Sequence, residues 1–208
     1  CALPISNPLI WVQSSDFSLI RSQFSNPMND SNILIKVDIS QRFIVNASKF
    51  WNFLKKENIV IFQISSVSDA LIIDCEYFIP ENLIEADGIG NLTLQNNIIE
   101  INHKTQLIRV DKSYALVISN TLITHTPVLN NVTDQSDYPR AQILLLDLEQ
   151  FTIIDSTLNN LRGVRAAVNV ISDLVPYNCT VINSTFTNNQ RVFGGALKIG
   201  RASCRERV

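Results

Sequence analysis

The sequence predicts an all-β chain that folds as a parallel β-helix, or β-solenoid, of about five to seven rungs. Three observations predict this fold. A short pattern of apolar residues around a polar anchor recurs along the chain, a second apolar segment lies between successive copies, and charged residues make up only 17% of the chain. So low a charged fraction suits strands that are buried between stacked neighbours.

The recurring pattern is clearest in its last copy. Asn183 follows apolar residues two and four positions earlier, Val181 and Cys179, and precedes the apolar Phe186 by three. The apolar pair is a period-2 strand with one face inward, and Asn, Asp and Ser close turns with their side chains. The five anchors are Asp74, Asn96, Ser119, Asp155 and Asn183, separated by 22, 23, 36 and 28 residues.

Stacking of the copies would place equivalent residues in one column. We expect the residues two before each anchor to lie about 5 Å apart at Cα, the spacing of paired strands. The second apolar segments, at 107–110, 142–146, 164–171 and 196–199, supply the other strand of each rung. A β-sandwich with evenly spaced strands is the alternative, but its strands should have a polar outer face. The expected column is Ile72, Leu94, Val117, Ile153 and Val181.

One pair of motifs resembles a known family. Phe186-Thr187-Asn188-Asn189, followed by Gly194-Gly195-Ala196-Leu197, resembles the paired Phe-x-x-Asn and Gly-Gly-Ala-Leu repeats of polymorphic outer-membrane-type surface proteins. Residues 70–198 are similar to right-handed parallel β-helix domains of the pectin-lyase-like superfamily. The pair is complete only in this rung, and a degenerate version begins at Leu158. The resemblance implies a right-handed β-helix.

Both termini look like translated sequencing adapter. Residues 1–5 and 199–208 match translations of the two arms of a common adapter, so they are not expected to belong to the natural fold. Residues 6–69 are less regular: 32–40 and 58–65 alternate as strands, whereas 49–57 predicts a turn or short helical excursion. The aromatic residues Trp51 and Phe53 in that segment either cover a core edge or form a platform for a sugar ring.

The superfamily includes enzymes that cleave acidic polysaccharides, and the resemblance would imply their motifs if this chain were such an enzyme. Its hydrolases use paired aspartates with a Gly-His-Gly segment, which does not occur in this sequence. His103 and His125 have no neighbouring glycine and are interpreted as solvated loop residues. The chain is therefore expected to be non-enzymatic and to need no cofactor.

A long insertion is the best sequence candidate for a binding surface. It spans residues 124–140 and should protrude from the solenoid wall, where repeat proteins often bind partners. A tolerated insertion without a role is the alternative. Its Asp134 and Asp137 are weak candidates for a calcium site, although such a pair is more typical of a turn. The candidate binding residues are His125, Asn131, Asp134, Asp137, Tyr138 and Arg140.

Six Asn-x-Ser/Thr sequons favour a secreted or surface protein of a eukaryote. Their alternative interpretation is that Asn, Ser and Thr are simply the turn residues of a solenoid. A formal net charge of −2 makes nucleic acid an improbable partner. The possible glycosylation sites are Asn29, Asn46, Asn91, Asn131, Asn178 and Asn183.

These observations predict an extracellular or surface-exposed β-helix module for adhesion or structural presentation, with carbohydrate or another surface protein as partner. A carbohydrate-active β-helix enzyme with missing or degenerate catalytic rungs is one alternative, and a purely structural spacer is another. Any membrane anchor would lie outside this sequence.

The two internal cysteines are predicted not to bond to each other. Four rung steps of about 4.8 Å separate Cys75 from Cys179, far beyond the reach of a disulfide. We expect Cys179 to be a small buried apolar residue and Cys75 to be a thiol on the turn side.

Overall fold

The computed structural model describes residues 8–13, 15–25, 33–51, 59–79, 82–101, 106–125, 141–163, 166–172, 178–191 and 196–199. These residues form strands and turns, without a helix. The strands are β1 (Ile10–Val12), β2 (Asp16–Ile20), β3 (Gln23–Ser25), β4 (Ile33–Asn46), β5 (Lys49–Trp51), β6 (Val60–Ile73), β7 (Glu76–Ile79), β8 (Asn82–Asp87), β9 (Asn91–Gln95), β10 (Ile98–Ile101), β11 (Ile108–Asp111), β12 (Ala115–Ser119), β13 (Leu122–His125), β14 (Ile143–Leu146), β15 (Gln150–Ile154), β16 (Thr157–Asn159), β17 (Arg162–Gly163), β18 (Val168–Ile171), β19 (Asn178–Ile182), β20 (Thr185–Thr187), β21 (Gln190–Arg191) and β22 (Leu197–Ile199).

The strands stack as a parallel β-solenoid, which confirms the predicted fold class. All pairings among the described strands are parallel, as in the runs β9–β12–β15–β19 and β7–β10–β13–β16. The stack makes about five complete turns. Strands of incomplete turns at both ends extend the smaller of its two main sheets to seven strands.

Each turn has three arms. The first arm contains β1, the beginnings of β4 and β6, and then β8, β11, β14, β18 and β22. The second arm contains β2, the ends of β4 and β6, and then β9, β12, β15 and β19. The third arm is the seven-stranded sheet of β3, β5, β7, β10, β13, β16 and β20.

Residues with left-handed backbone conformation form the corners between the arms. At the second corner they stack in one column, and the N–H of each member before the last donates to a carbonyl of the next turn, as Asp74 N does to Gln95 O at 3.0 Å. Asn and Asp adopt this conformation most readily among residues with a side chain, which explains their recurrence. The column is Arg21, Ala47, Asp74, Asn96, Asn120, Asp155 and Asn183.

The predicted inward column is confirmed at four positions and wrong at one. Ile72, Leu94, Ile153 and Val181 are in register, but their partner in β12 is Ile118, which is buried, whereas Val117 faces outward. The anchor of that copy is Asn120, with a φ of 45°, rather than Ser119. Both residue types close turns, so the pattern alone placed the corner one residue early.

The N-terminal part is more regular than the sequence indicates. The expected turn or helical excursion at 49–57 is wrong at its start, because β5 pairs with β3 and β7. Phe50 is buried inside the third arm, where its ring stacks on Phe24 at 5.0 Å and on Tyr77 at 4.9 Å between centroids. The half-buried Trp51 ends β5, and Phe53 lies outside the described residues.

A polar ladder lines the inside of the second corner. The residue after each left-handed position belongs to this ladder. From the second member onward, its side chain accepts a hydrogen bond from the backbone N–H of the equivalent residue one turn earlier, at 3.0–3.5 Å. Most of these side chains also donate to the carbonyl two residues before them. The ladder satisfies backbone groups that would otherwise be buried without partners. Its members are Ser22, Ser48, Cys75, Asn97, Thr121, Ser156 and Ser184.

Cys75 belongs to this ladder, so its predicted place on the turn side is wrong. Its thiol is fully buried, donates to Ile73 O at 3.1 Å and accepts from Ser48 N at 3.5 Å. Cys179 faces the core but is only half-buried, because no described strand stacks on the far side of β19. Cys75 and Cys179 are both free and do not bond to each other, which confirms that prediction.

The buried Cys75 and Tyr77 should make the fold sensitive to alkali. Burial raises the pKa of Cys75 above its usual 9.0 and the pKa of Tyr77 well above its usual 10.0. Above about pH 9 the unfolded chain loses protons that the folded chain keeps, so the free energy of unfolding should fall as pH rises. Urea unfolding at pH 7.5, 9 and 10.5 should show this loss, and the double variant Cys75→Ser, Tyr77→Phe should show less of it. Equal pH slopes for the two proteins would contradict the assignment.

The Phe-x-x-Asn motif has a direct structural basis. Phe186 packs against the core, Asn188 adopts the left-handed conformation, and the side chain of Asn189 turns inward. The Asn189 amide accepts from Leu161 N at 2.8 Å and donates to Leu158 O at 3.0 Å, one turn away. The motif therefore ties two adjacent turns together at a third corner. Gly194 and Gly195 of the companion motif lie outside the described residues.

Candidate functional site

The outer face of the first arm carries two rows of polar and charged side chains. Alternation along each strand brings every second residue to the outside, and in-register pairing places equivalent residues of successive turns next to each other. One row runs through Trp11, Lys36, Gln63, Glu85 and Arg109. The other runs through Asp38, Ser65, Asp87 and Asp111. We call these nine residues the charged wall.

The middle of the charged wall is concave. A groove of about 330 Å³ lies over β6, β8 and β11 and reaches the first corner at Lys112. Arg109 contacts Asp111 at 3.7 Å, but this exposed pair contributes little to stability. Glu85 and Asp87 form no ion pair with any described residue. The groove therefore offers two carboxylates that have no salt-bridge partner among the described residues, beside an amide, a hydroxyl and two cations.

Trp11 stands at one end of the charged wall in a fixed position. Its side chain is 60% exposed, yet its indole Nε1–H donates to Asp38 Oδ2 at 2.9 Å. Lys36 Nζ lies 3.1 Å from the same carboxylate oxygen and 5.6 Å from the centre of the indole ring. These contacts hold a large flat apolar surface in the solvent, which is typical of residues that anchor partners.

A second depression, of about 410 Å³, lies at the first corner between Gly90 and Tyr114. The Tyr114 ring is exposed, and its hydroxyl accepts from Gln150 Nε2 at 2.9 Å. A side chain at Gly90 would collide with the carbonyl of Ser68, so glycine is required there. Lys112 lines both depressions, which makes the groove and the corner one continuous surface.

The predicted binding loop is tested at one residue only. His125 ends β13 and is buried, so its interpretation as a solvated loop residue is wrong. It pairs with Ile101 of β10, which is also buried, so this position faces the core. The remaining loop candidates lie outside the described residues, as does His103: Asn131, Asp134, Asp137, Tyr138 and Arg140.

Four of the six sequons lie within the described residues. Asn91, Asn178 and Asn183 are exposed, whereas Asn46 is half-buried and its Oδ1 is inaccessible to solvent. Asn29 and Asn131 lie outside the described part of the chain.

Within the described ranges, no three His, Cys, Asp or Glu side chains are grouped so as to hold a metal ion. The same part of the chain has no helix of the length and apolar character needed to cross a bilayer. The weak calcium candidates Asp134 and Asp137 are not among these residues.

The fold and the wall define the chain as a parallel β-solenoid with a charged lateral face. No family model, curated protein or solved structure matches it. The resemblance of its last rung to surface-protein repeats thus stands on the motif residues alone.

Sequence reasoning missed the charged wall, although a signal for it exists. Three segments of the first arm have a charged residue, an apolar residue and Asp directly before the first corner. They are Lys36-Val37-Asp38, Glu85-Ala86-Asp87 and Arg109-Val110-Asp111. Aligning the rungs on the first corner, in addition to the second, would have brought these triplets into register.

Proposed function

We propose that this protein is a non-enzymatic extracellular or cell-surface module of the right-handed β-helix type, which adheres to carbohydrate or to another surface protein through the charged wall. The groove at Glu85 and Asp87 is the observation that carries the proposal. Six Asn-x-Ser/Thr sequons and the motifs shared with surface-protein repeats support an extracellular setting.

The architecture suits an adhesive role. Side chains repeat at about 4.8 Å along the solenoid, so an extended ligand can make the same kind of contact on successive turns. Many weak contacts along one rigid face can give useful affinity without a deep pocket, because a preformed wall loses little conformational entropy on binding. The anchored Trp11 supplies apolar contact area at one end of the same row.

The charges of the groove favour a ligand with positive groups. Its three carboxylates, Glu85, Asp87 and Asp111, outnumber its two cations, Arg109 and Lys112. Of the three carboxylates, only Asp111 has a salt-bridge partner among the described residues. Ammonium groups of an amino-sugar polymer, or lysines and arginines of a surface protein, would be attracted at low salt. Binding should weaken as ionic strength rises.

Binding of the full chain to immobilised neutral, acidic and amino-sugar polysaccharides and to intact cells tests the proposal. The double variant Glu85→Gln, Asp87→Asn keeps side-chain shape and should weaken retention on amino-sugar polymer or cells about tenfold, the equivalent of roughly 1.4 kcal/mol. Asp69→Asn with Glu76→Gln is the matched control, because it removes two carboxylates from the other arms and should change retention less than twofold.

Three results would overturn the proposal. Absence of retention on every surface would favour a structural spacer. Release of shortened polysaccharide would favour the carbohydrate-active enzyme. Equal losses in the variant and its control would show that overall charge, and not the charged wall, governs adhesion.

A further inference from the structure

We propose that the outer face of the second arm and its second corner carry N-linked glycans at Asn91, Asn178 and Asn183, that Asn46 carries none, and that the charged wall is thereby left free. This inference rests on the proposed extracellular location. It does not depend on which ligand the wall binds.

The strand geometry turns two of these acceptors outward, and Asn91 Nδ2, which donates to Asp69 Oδ1 at 2.9 Å, would keep one N–H for this bond after glycosylation. Asn91 and Thr93 lie two residues apart in β9, and Asn178 and Thr180 have the same spacing in β19. Alternation puts the amide and the hydroxyl of each sequon on the same outer face of the second arm. Asn91 and Asn178 occupy equivalent positions three pairings apart, about 14 Å along the axis, which leaves room for two glycans.

The third acceptor stands on the second corner. Asn183 has a φ of 47° and is exposed, and Thr185 follows on the outside of β20. Asn183 lies at the edge of the described stack, and Ser184 between the two sequon residues turns inward into the polar ladder. A bulky hydrophilic group at Asn183 would therefore displace no packed side chain.

Asn46 differs because the left-handed residue is the middle residue of its sequon, whereas at Asn183 it is the first. The left-handed Ala47 turns Ser48 into the ladder, where the hydroxyl is fully buried, donates to Asn46 O at 3.0 Å and accepts from Ser22 N at 3.1 Å. The Asn46 Oδ1 is itself inaccessible to solvent. A glycan added before folding would have to fit against this packed oxygen, so folded secreted chains should lack it.

The three acceptors lie away from the charged wall, which belongs to the first arm. None of the described sequons is on that arm. Glycans would thus cover one side of the solenoid with hydrophilic bulk and leave the groove at Glu85 and Asp87 open.

Secretion of the full chain from a eukaryotic host, with an added signal peptide, tests the inference. Every protein tested also carries Asn29→Gln and Asn131→Gln, which remove the two sequons outside the described residues. Peptide mapping after enzymatic release of N-glycans in heavy-oxygen water marks each occupied Asn. We expect marked Asn91, Asn178 and Asn183 and unmarked Asn46.

Single variants Thr93→Val, Thr180→Val and Thr185→Val should each carry one glycan fewer by intact mass, while Asn46→Gln should carry the same number. If a Thr→Val variant is not secreted, the corresponding Asn→Gln variant gives the same readout. An occupied Asn46 in folded material, or an unoccupied Asn91, would overturn the inference. Site mapping uses no ligand, so its failure would leave adhesion through the charged wall untouched, and failed adhesion would leave the mapping untouched.

Discussion

Replacing Ile153 by Asp should lower the free energy of unfolding by about 4 kcal/mol. Ile153 is fully buried in β15, where its neighbours in the adjacent turns are Ile118 and Val181. A carboxylate at this position would have no cation to pair with in the apolar column, and removing the branched side chain would also leave a cavity. Chemical denaturation followed by circular dichroism measures the effect.

The next residue supplies the control. Ile154 has the same side chain and lies in the same strand, but it points outward and is only partly covered. Ile154→Asp should cost no more than about 1 kcal/mol, as surface substitutions usually do. Comparable losses at both positions would mean that the inward and outward faces of β15 are wrongly assigned.

Replacing Asn97 by Leu should cost about 2–4 kcal/mol, although Leu is close to Asn in size. The Asn97 side chain is buried and bridges two turns, accepting from Cys75 N at 3.0 Å and donating to Ile72 O at 2.9 Å. Leucine would leave a backbone donor and a backbone acceptor buried without partners, and each would keep its desolvation cost.

Gln95 is the matched control for Asn97. It lies two residues earlier in the same turn, is half-buried and faces outward. Gln95→Leu should change the free energy of unfolding by less than about 0.5 kcal/mol. If Asn97→Leu were equally mild, the polar ladder would not stabilise the stack, and the second corner would depend on backbone conformation alone.

The sequence was sufficient to predict the stacking but not all of its corners. Where Asn or Asp occupies the left-handed position, as at Asn96 and Asp155, period-2 apolar residues before it set the register without ambiguity. Two earlier turns have Arg21 and Ala47 at this position, and their left-handed conformation is imposed by hydrogen bonds to the next turn. The residue type does not predict this conformation, because Arg and Ala adopt the left-handed region only at an energetic cost.

The environment of Cys75 could not be predicted from the sequence either. The residue after each anchor is Ser, Thr, Asn or Cys, and within a single rung such small polar residues indicate an exposed turn. Only the stacked structure shows that these side chains point inward and bond to the neighbouring turn. A pattern within one rung contains no information about which polar residue meets a partner in the next.

The candidate site was harder to predict because it depends on stacking across turns. Glu85 and Arg109 are ordinary outward-facing charges in their own strands and become neighbours only through the pairing of β8 with β11. The sequence drew attention instead to the insertion at 124–140, whose length is visible without a structure. Predicting an outward row of side chains requires the register of every turn. The sequence pattern aligned the turns only on the second corner, so the register of the first arm was not predicted.

Distances between spin labels along the second arm test the parallel stack most directly. Labels attached at Ser18→Cys and, in separate proteins, at Val117→Cys, Thr152→Cys or Thr180→Cys occupy one outward row, with Ser in place of the native cysteines. Four, five and six pairings separate these sites from residue 18. The stack predicts distances of about 19, 24 and 29 Å, rising by one strand spacing per turn. Distances that fail to increase in this order, as in a sandwich of antiparallel strands, would contradict the β-solenoid.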